Sequence, residues 1–184
     1  KVPFKTVLIH NRVLDEQGYG WFEEPLSPEH AGLFRQLAVK VDVPIATGEC
    51  EQTRWGFQDL LEKGGVQIAQ PDLAYCGGPT EALKIRAIAS SHGINVVPHC
   101  WGTQLNLASG AHFLATTYVE PGRAEVAEPL LETDLTRNPM RDEMYLTAVK
   151  IAAGVATVPT GPGLGVEPDR QAMKQFCIQE TEKK

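Results

Sequence analysis

The 184-residue sequence predicts an α/β protein, the C-terminal portion of a (β/α) barrel of the TIM type, and three observations carry that prediction. Acid or base residues, Glu23, Glu49, Asp72 and His99, stand at the ends of four short apolar runs at intervals of about 25 residues, the length of a strand, a crossover helix and two short loops. The runs, residues 19–22, 43–47, 66–69 and 94–97, are nearly continuous in apolar character, as in strands covered on both faces. The segments between them have helical length and helically spaced apolar residues. In a parallel barrel every strand opens its C-terminus on one face, where catalytic groups gather. The four polar residues are therefore expected to converge.

Each element can be justified in turn. Strand 19–22 runs into Glu23-Glu24-Pro25. Ser27-Pro28-Glu29 then reads as a helix start, a cap followed by a first-turn proline and an acid, with Leu33, Leu37 and Val41 on one face. Strand 43–47 ends in Gly48-Glu49, and Phe57, Leu60 and Leu61 mark the helix after it. Strand 66–69 leads to Gln70-Pro71-Asp72. Gly77-Gly78-Pro79-Thr80 opens the next helix, the glycines permitting a sharp turn, and Ala82, Leu83, Ile85, Ile88 and Ala89 give it an apolar face. Strand 94–97 leads to Pro98-His99, followed by a helix over 105–115.

Beyond that point the pattern changes. Residues 117–129, with Pro121, Gly122 and Pro129, have the composition of a loop, expected over the barrel mouth. Residues 130–134 read as one more short strand carrying Glu132, 155–158 as a further strand, 160–165 as a rigid loop and 169–176 as a final short helix. The Gly-rich loop lacks the Lys-Ser/Thr ending of a phosphate loop, and no helix is expected to begin on it. The chain is read as one partial barrel domain, residues 1–184, with 153–184 as its C-terminal tail.

Composition bounds the function. With 42% hydrophobic residues the chain can bury a sizeable core, but a complete barrel usually takes about 250 residues, so part of a barrel is expected. A net charge of −6 and no Lys/Arg stripe argue against nucleic acid as a partner. No apolar run is long enough to span a membrane. The four cysteines form neither a CxxC pair nor a dense disulfide framework, which points to a reducing, cytoplasmic compartment. Cys50 and Cys100 each follow a proposed site residue, and filling the wall of the barrel mouth is favoured over a nucleophilic role because free Cys tends to be buried.

An isolated Glu, Asp or His at a strand end is ordinarily solvated or bonded to loop amides. Four at one phase of a repeat shift the balance toward a site. Glu24, adjacent to Glu23, is expected to point out of the lumen by the two-residue period of a strand. His10, His30, His92 and His112 fall in helical segments and read as surface or packing residues. Arg54 reads as a helix cap, with clamping of an anionic substrate as the alternative. Trp101 could stack in the pocket or pack beneath it.

The motifs Trp21-Phe22-Glu23-Glu24-Pro25, Ala46-Thr47-Gly48-Glu49, Gln70-Pro71-Asp72 with Gly77-Gly78, and Val97-Pro98-His99-Cys100-Trp101-Gly102 occur in that order. Together they resemble the enolase superfamily, specifically its mandelate racemase-like subgroup. The tail, from Leu131-Glu132-Thr133-Asp134 through Asn138-Pro139 to Pro162-Gly163-Leu164-Gly165-Val166-Glu167, is also similar. This resemblance implies that Glu23 and Glu49 are ligands of a Mg²⁺, that Asp72 and His99 form an acid–base dyad, and that Glu132 hydrogen-bonds a substrate carboxylate. Lys or His bases working with Mg²⁺ on an ene-diolate are a general property of the superfamily. The same resemblance places a third metal ligand, an opposing Lys strand and a capping domain upstream of Lys1, so the chain alone is expected to be an incomplete catalyst.

Elementary chemistry favours the same residue types. Removing a proton next to a carboxylate creates two negative oxygens, which a hard cation held by carboxylates stabilises. His supplies a base of near-neutral pKa, and a neighbouring Asp fixes its tautomer. The expected function is a Mg²⁺-dependent dehydratase of a sugar acid or other hydroxy carboxylic acid, with a small-molecule carboxylate substrate and a homo-oligomeric full-length enzyme. The alternatives are a racemase, epimerase or cycloisomerase on the same intermediate, and a non-catalytic barrel fragment. A Schiff-base aldolase is disfavoured because no Lys stands at a strand end.

Overall fold

A computed structural model describes residues 3–118 and 129–178. Helix α1 (Phe4–Glu16) leads into strand β1 (Phe22–Glu23), and three further strand–helix pairs alternate after it. In order they are α2 (Ala31–Ala38), β2 (Ile45–Thr47), α3 (Thr53–Lys63), β3 (Ile68–Ala69), α4 (Pro79–Ser91), β4 (Asn95–Val96) and α5 (Gln104–Leu114). The four strands form one parallel sheet in the order β1-β2-β3-β4. This is the arrangement of consecutive βα units of a (β/α) barrel, as the sequence predicts.

The central strands β2 and β3 are buried on both faces. Ile45, facing the helices, packs with Val7, Phe34 and Leu37. Ala69 joins the largest core cluster, which includes Phe57, Leu61, Ile85, Ala89 and Phe113 from the helices. On the inner face Ala46, Ile68 and Val97 form a separate layer beneath Trp21. Apolar side chains are thus needed at successive positions, which accounts for the continuous runs. The helix side contains the fully buried Phe34 and Phe57.

One helix start differs from expectation. Ser27-Pro28-Glu29 is a turn, closed by the His30 amide donating to the Ser27 carbonyl at 3.1 Å, and α2 begins at Ala31. Gly78 and Pro79 do open α4: Gly78, at φ 89°, precedes a first-turn proline.

The tail is more structured than the sequence suggests. Residues 130–134, expected as a strand, carry no strand assignment. Helix α6 (Pro139–Asp142) is followed by β5 (Tyr145–Thr147), β6 (Lys150–Ala152), β7 (Val155–Thr157), β8 (Glu167–Pro168) and α7 (Arg170–Met173). β6 and β7 form an antiparallel hairpin, and β5 pairs with β8. The 155–158 strand and the 169–176 helix are found with small boundary changes, a 3₁₀ turn at Lys174–Phe176 completing the latter. The tail docks on the fourth unit through Val149, Leu131 and Leu164, packed against Cys100, Leu107 and Ala108. The buried Gln104 side chain accepts from the Val149 amide at 3.0 Å. The expected loop over the mouth falls largely within 119–128, outside the described residues.

Candidate active site

The sheet ladder sets the site. The Glu24 amide donates to the Ala46 carbonyl, the Gln70 amide to Thr47 and the His99 amide to Pro71. Each strand end is therefore fixed by its neighbour, and the side chains that follow β1 to β4 meet at one mouth. Glu23 Oε2 accepts from Trp21 Nε1 at 3.2 Å and from Gln70 Nε2 at 2.8 Å. Glu49 lies in the next position, its Oε2 3.4 Å from His99 Nε2. Gly48 permits this placement: its φ is 135°, and an added Cβ would stand 2.9 Å from the Phe57 ring and 3.2 Å from the Gln70 amide nitrogen.

Asp72 and His99 are in direct contact. Asp72 Oδ2 lies 2.7 Å from His99 Nδ1 and accepts from Asn106 Nδ2 at 3.0 Å, while Oδ1 accepts from the Ala74 amide at 2.7 Å. Burial alone pushes the imidazole pKa down. The hydrogen bond to Asp72 and the negative charges of Glu132, Glu49 and Asp72 outweigh that effect, and His99 is held above the usual histidine value. An imidazole with one nitrogen on a carboxylate and the other facing the mouth can take up and return a proton. Glu132 approaches from the tail side, its Oε2 accepting from the Cys100 amide at 2.9 Å.

All five sequence-predicted site residues, Glu23, Glu49, Asp72, His99 and Glu132, are brought together through this network of contacts and charges. Glu24 follows expectation. Its φ is 37°, and its carboxylate accepts from the buried Thr47 hydroxyl at 2.9 Å, on the face that Thr47 shares with Ile45, which packs against the helices outside the lumen. Burial raises its pKa, and the nearby charges of Glu49 and Glu23 raise it further. Gln70 and Asn106 were not singled out by sequence reasoning. Gln70 lies inside a quoted motif, whereas Asn106 gives no signal beyond being a polar residue in the apolar 105–115 run.

Three further readings are resolved. Arg54 neither faces the mouth nor acts as a simple cap: its guanidinium pairs with Glu81 at 2.7 and 2.8 Å, and its own amide donates to the same carboxylate. Trp101 is 65% exposed and borders a cavity of about 420 Å³ with Ala74, Leu105 and Asn106. The Cys100 thiol is buried and its pKa is pushed strongly up by that burial, with Glu132 and Asp72 adding to the shift, so it suits wall packing and not attack.

Among the described residues no group of three or more His, Cys, Asp or Glu forms a metal-binding cluster. Glu23 and Glu49 nevertheless offer hard carboxylate oxygens of the kind Mg²⁺ takes. Glu24, whose carboxyl is raised first by burial, also feels the charges of Glu49 and Glu23. The donor chemistry thus fits a divalent cation completed by ligands from outside these residues.

The comparisons with known proteins agree with this geometry. Residues 5–172 match the family model described as Enolase C-terminal domain-like. The chain is 40% identical over 159 residues to the D-galactarolactone cycloisomerase of Agrobacterium fabrum, covering 86% of this chain and 42% of that one. It is 32% identical over 162 residues to the arabinonate dehydratase of Saccharolobus solfataricus, covering 88% of this chain and 41% of that one. The crystal structure of the 3,6-anhydro-D-galactonate cycloisomerase from Zobellia galactanivorans superposes with a TM-score of 0.85 at 35% identity, over 95% of this chain and 47% of that one. The chain spans less than half the length of these relatives. From residue 5 to residue 172, across the four βα units and most of the tail, it belongs to the enolase C-terminal domain-like family.

Proposed function

We propose that these residues form one side of the active-site barrel of a Mg²⁺-dependent enzyme that removes the proton α to the carboxylate of a sugar acid and expels a β-oxygen, as a dehydratase does. The observation that carries this reading is the contact chain from Asn106 through Asp72 and His99 to Glu49, with bonds of 3.0 and 2.7 Å and a 3.4 Å approach. Asp72 holds the proton on His99 Nδ1, which leaves Nε2 to receive the α-proton. The electron pair of the C–H bond becomes the new C=C bond, and the β-C–O bond breaks. Protonated His99 can return its proton to the departing oxygen. Glu132 stands beside Cys100, positioned to meet a substrate carboxylate oxygen or hydroxyl. A Mg²⁺ held by Glu23 and Glu49 would supply positive charge opposite the substrate carboxylate as the α-proton leaves.

A second reading has a specific support, since two of the similar proteins are named as cycloisomerases. The same residues serve it: the leaving oxygen is then a ring oxygen instead of a free hydroxyl. The substrates named for the relatives, D-galactarolactone, arabinonate and 3,6-anhydro-D-galactonate, are the first probes. Incubation of the full-length enzyme with each compound and Mg²⁺, scoring products that have lost water separately from isomers of unchanged mass, distinguishes the readings. Glu49→Gln in that enzyme is expected to lose Mg²⁺ binding by calorimetry and at least about 10²-fold in turnover while keeping its circular dichroism spectrum. Retained Mg²⁺-dependent turnover would remove Glu49 from the metal site.

A further inference from the structure

We infer that Asn106 is a positioning residue for the Asp72–His99 pair, fixing the carboxylate so that His99 presents Nε2 to the substrate. The inference rests on the proton-transfer role proposed for His99. Asn106 belongs to the first turn of α5, with its amide donating to the Thr103 carbonyl at 3.1 Å. It is 95% buried, being 5% exposed, and its Nδ2 reaches Asp72 Oδ2 at 3.0 Å. That oxygen is the one in contact with His99, and the other is bound to the Ala74 amide. Without Asn106 the carboxylate retains the backbone anchor but loses the side-chain donor that sets its plane on the imidazole side.

The orientation of the amide follows from its partner: swapping its two atoms would set a carbonyl oxygen against the Asp72 carboxylate, so the nitrogen stands toward Asp72. Asn106 Oδ1 has no protein hydrogen-bond partner among the described residues, and the residue borders the same cavity as Trp101 and Ala74. What Asn106 gives the pair is its donor and the orientation that donor imposes on Asp72. Proton transfer is steeply sensitive to such geometry: a misplacement of about 1 Å can lower a rate about 10²-fold.

The approach of α5 is itself arranged. Gly110, two turns into the same helix, lies so close to Cys100 and Leu131 that a Cβ there would meet the Cys100 sulfur at 2.5 Å. Helix and strand end are thereby brought near enough for a side chain as short as asparagine to reach Asp72.

The test uses the full-length enzyme with whichever of the three probe acids turns over, and compares Asn106→Leu with the unaltered protein. The expected result is a fall of about 10- to 100-fold in kcat and in solvent-deuterium exchange at the substrate α-carbon, with KM within about twofold and the circular dichroism spectrum kept. In an Asp72→Asn background the same substitution should add nothing, because its effect passes through Asp72. Without substrate, ¹⁵N spectra of selectively labelled histidine should show His99 changing from one fixed tautomer to a mixture. Full kcat with an unchanged tautomer, or an equal loss in the Asp72→Asn background, would overturn the inference. If Asn106→Leu does not fold, Asn106→Ser, which cannot reach Asp72, is read by the same criteria. His99→Asn is measured alongside. Exchange that survives His99→Asn overturns the proton-transfer reading itself, whereas exchange lost there but kept in Asn106→Leu overturns only the role of Asn106.

Discussion

At the scale of single residues, the dyad divides its labour between its two members. Nε2 of His99 faces the mouth and Glu49, while Asp72 is engaged by the Ala74 amide, Asn106 Nδ2 and His99 Nδ1. His99→Asn in the full-length enzyme is therefore expected to abolish α-proton exchange on its face, whereas Asp72→Asn should leave a residual rate, with a loss of about 10²- to 10⁴-fold. Deuterium incorporation into substrates of both α-configurations checks this, and equal losses in the two variants would contradict it. The placement of four candidate residues, Glu23, Glu49, Asp72 and His99, was legible in the sequence because each ends an apolar run at a regular interval, whereas Glu132 rested on the family resemblance. Asn106 and Gln70 were not, because an amide in a helix or strand end has no spacing rule of its own. The outward placement of Glu24 was legible from the two-residue alternation, but its partner, the Thr47 hydroxyl on the neighbouring strand, was not.

At the scale of elements, helices α3 and α4 are tied by Arg54 and Glu81. Glu81 receives two guanidinium bonds and the Arg54 amide, which hold its carboxyl down to about 2 from an ordinary 4.5. Because the folded value lies below the unfolded one, the stabilisation is present above the unfolded value and is lost as pH falls toward the folded one. The melting temperature of Glu81→Gln should therefore lie below that of the unaltered protein at neutral pH, and the gap should close in acid as pH falls from about 4.5 to about 2. A gap that stays constant over that range would show that the pair is not the source. The four βα units were readable because strand and helix periods are imposed by burial on both sides of the sheet. In the tail only β7 was read, as 155–158; β5, β6 and β8 were not, since they are two or three residues long and largely exposed, and so carry no burial pattern. Residues 130–134 resemble a strand in composition but have no strand partner among the described residues; Glu132 and Asp134 are held instead by the Cys100 amide and by Arg141.

At the scale of the whole molecule, the sheet runs β1-β2-β3-β4 and, among the described residues, no strand pairs with the outer side of β1 or β4. Two open parallel edges are templates for association. The 184-residue polypeptide produced alone is therefore expected to self-associate, and to bind Mg²⁺ weakly and turn over no sugar acid. Sedimentation velocity and calorimetry check this; a monodisperse, cooperatively melting and active monomer would contradict it. Burial also sorts the four thiols by reach. Cys76 is pushed up to about 11 by its burial, and Cys100 is sealed against α5, while Cys50 and Cys177 lie at the surface. Cys50 directly follows Glu49, so a small fluorophore attached to it would sit at the rim of the mouth. With Cys177 replaced, that cysteine would offer an attachment point for an optical reporter of the cation and acid-sugar binding proposed above for the full-length enzyme.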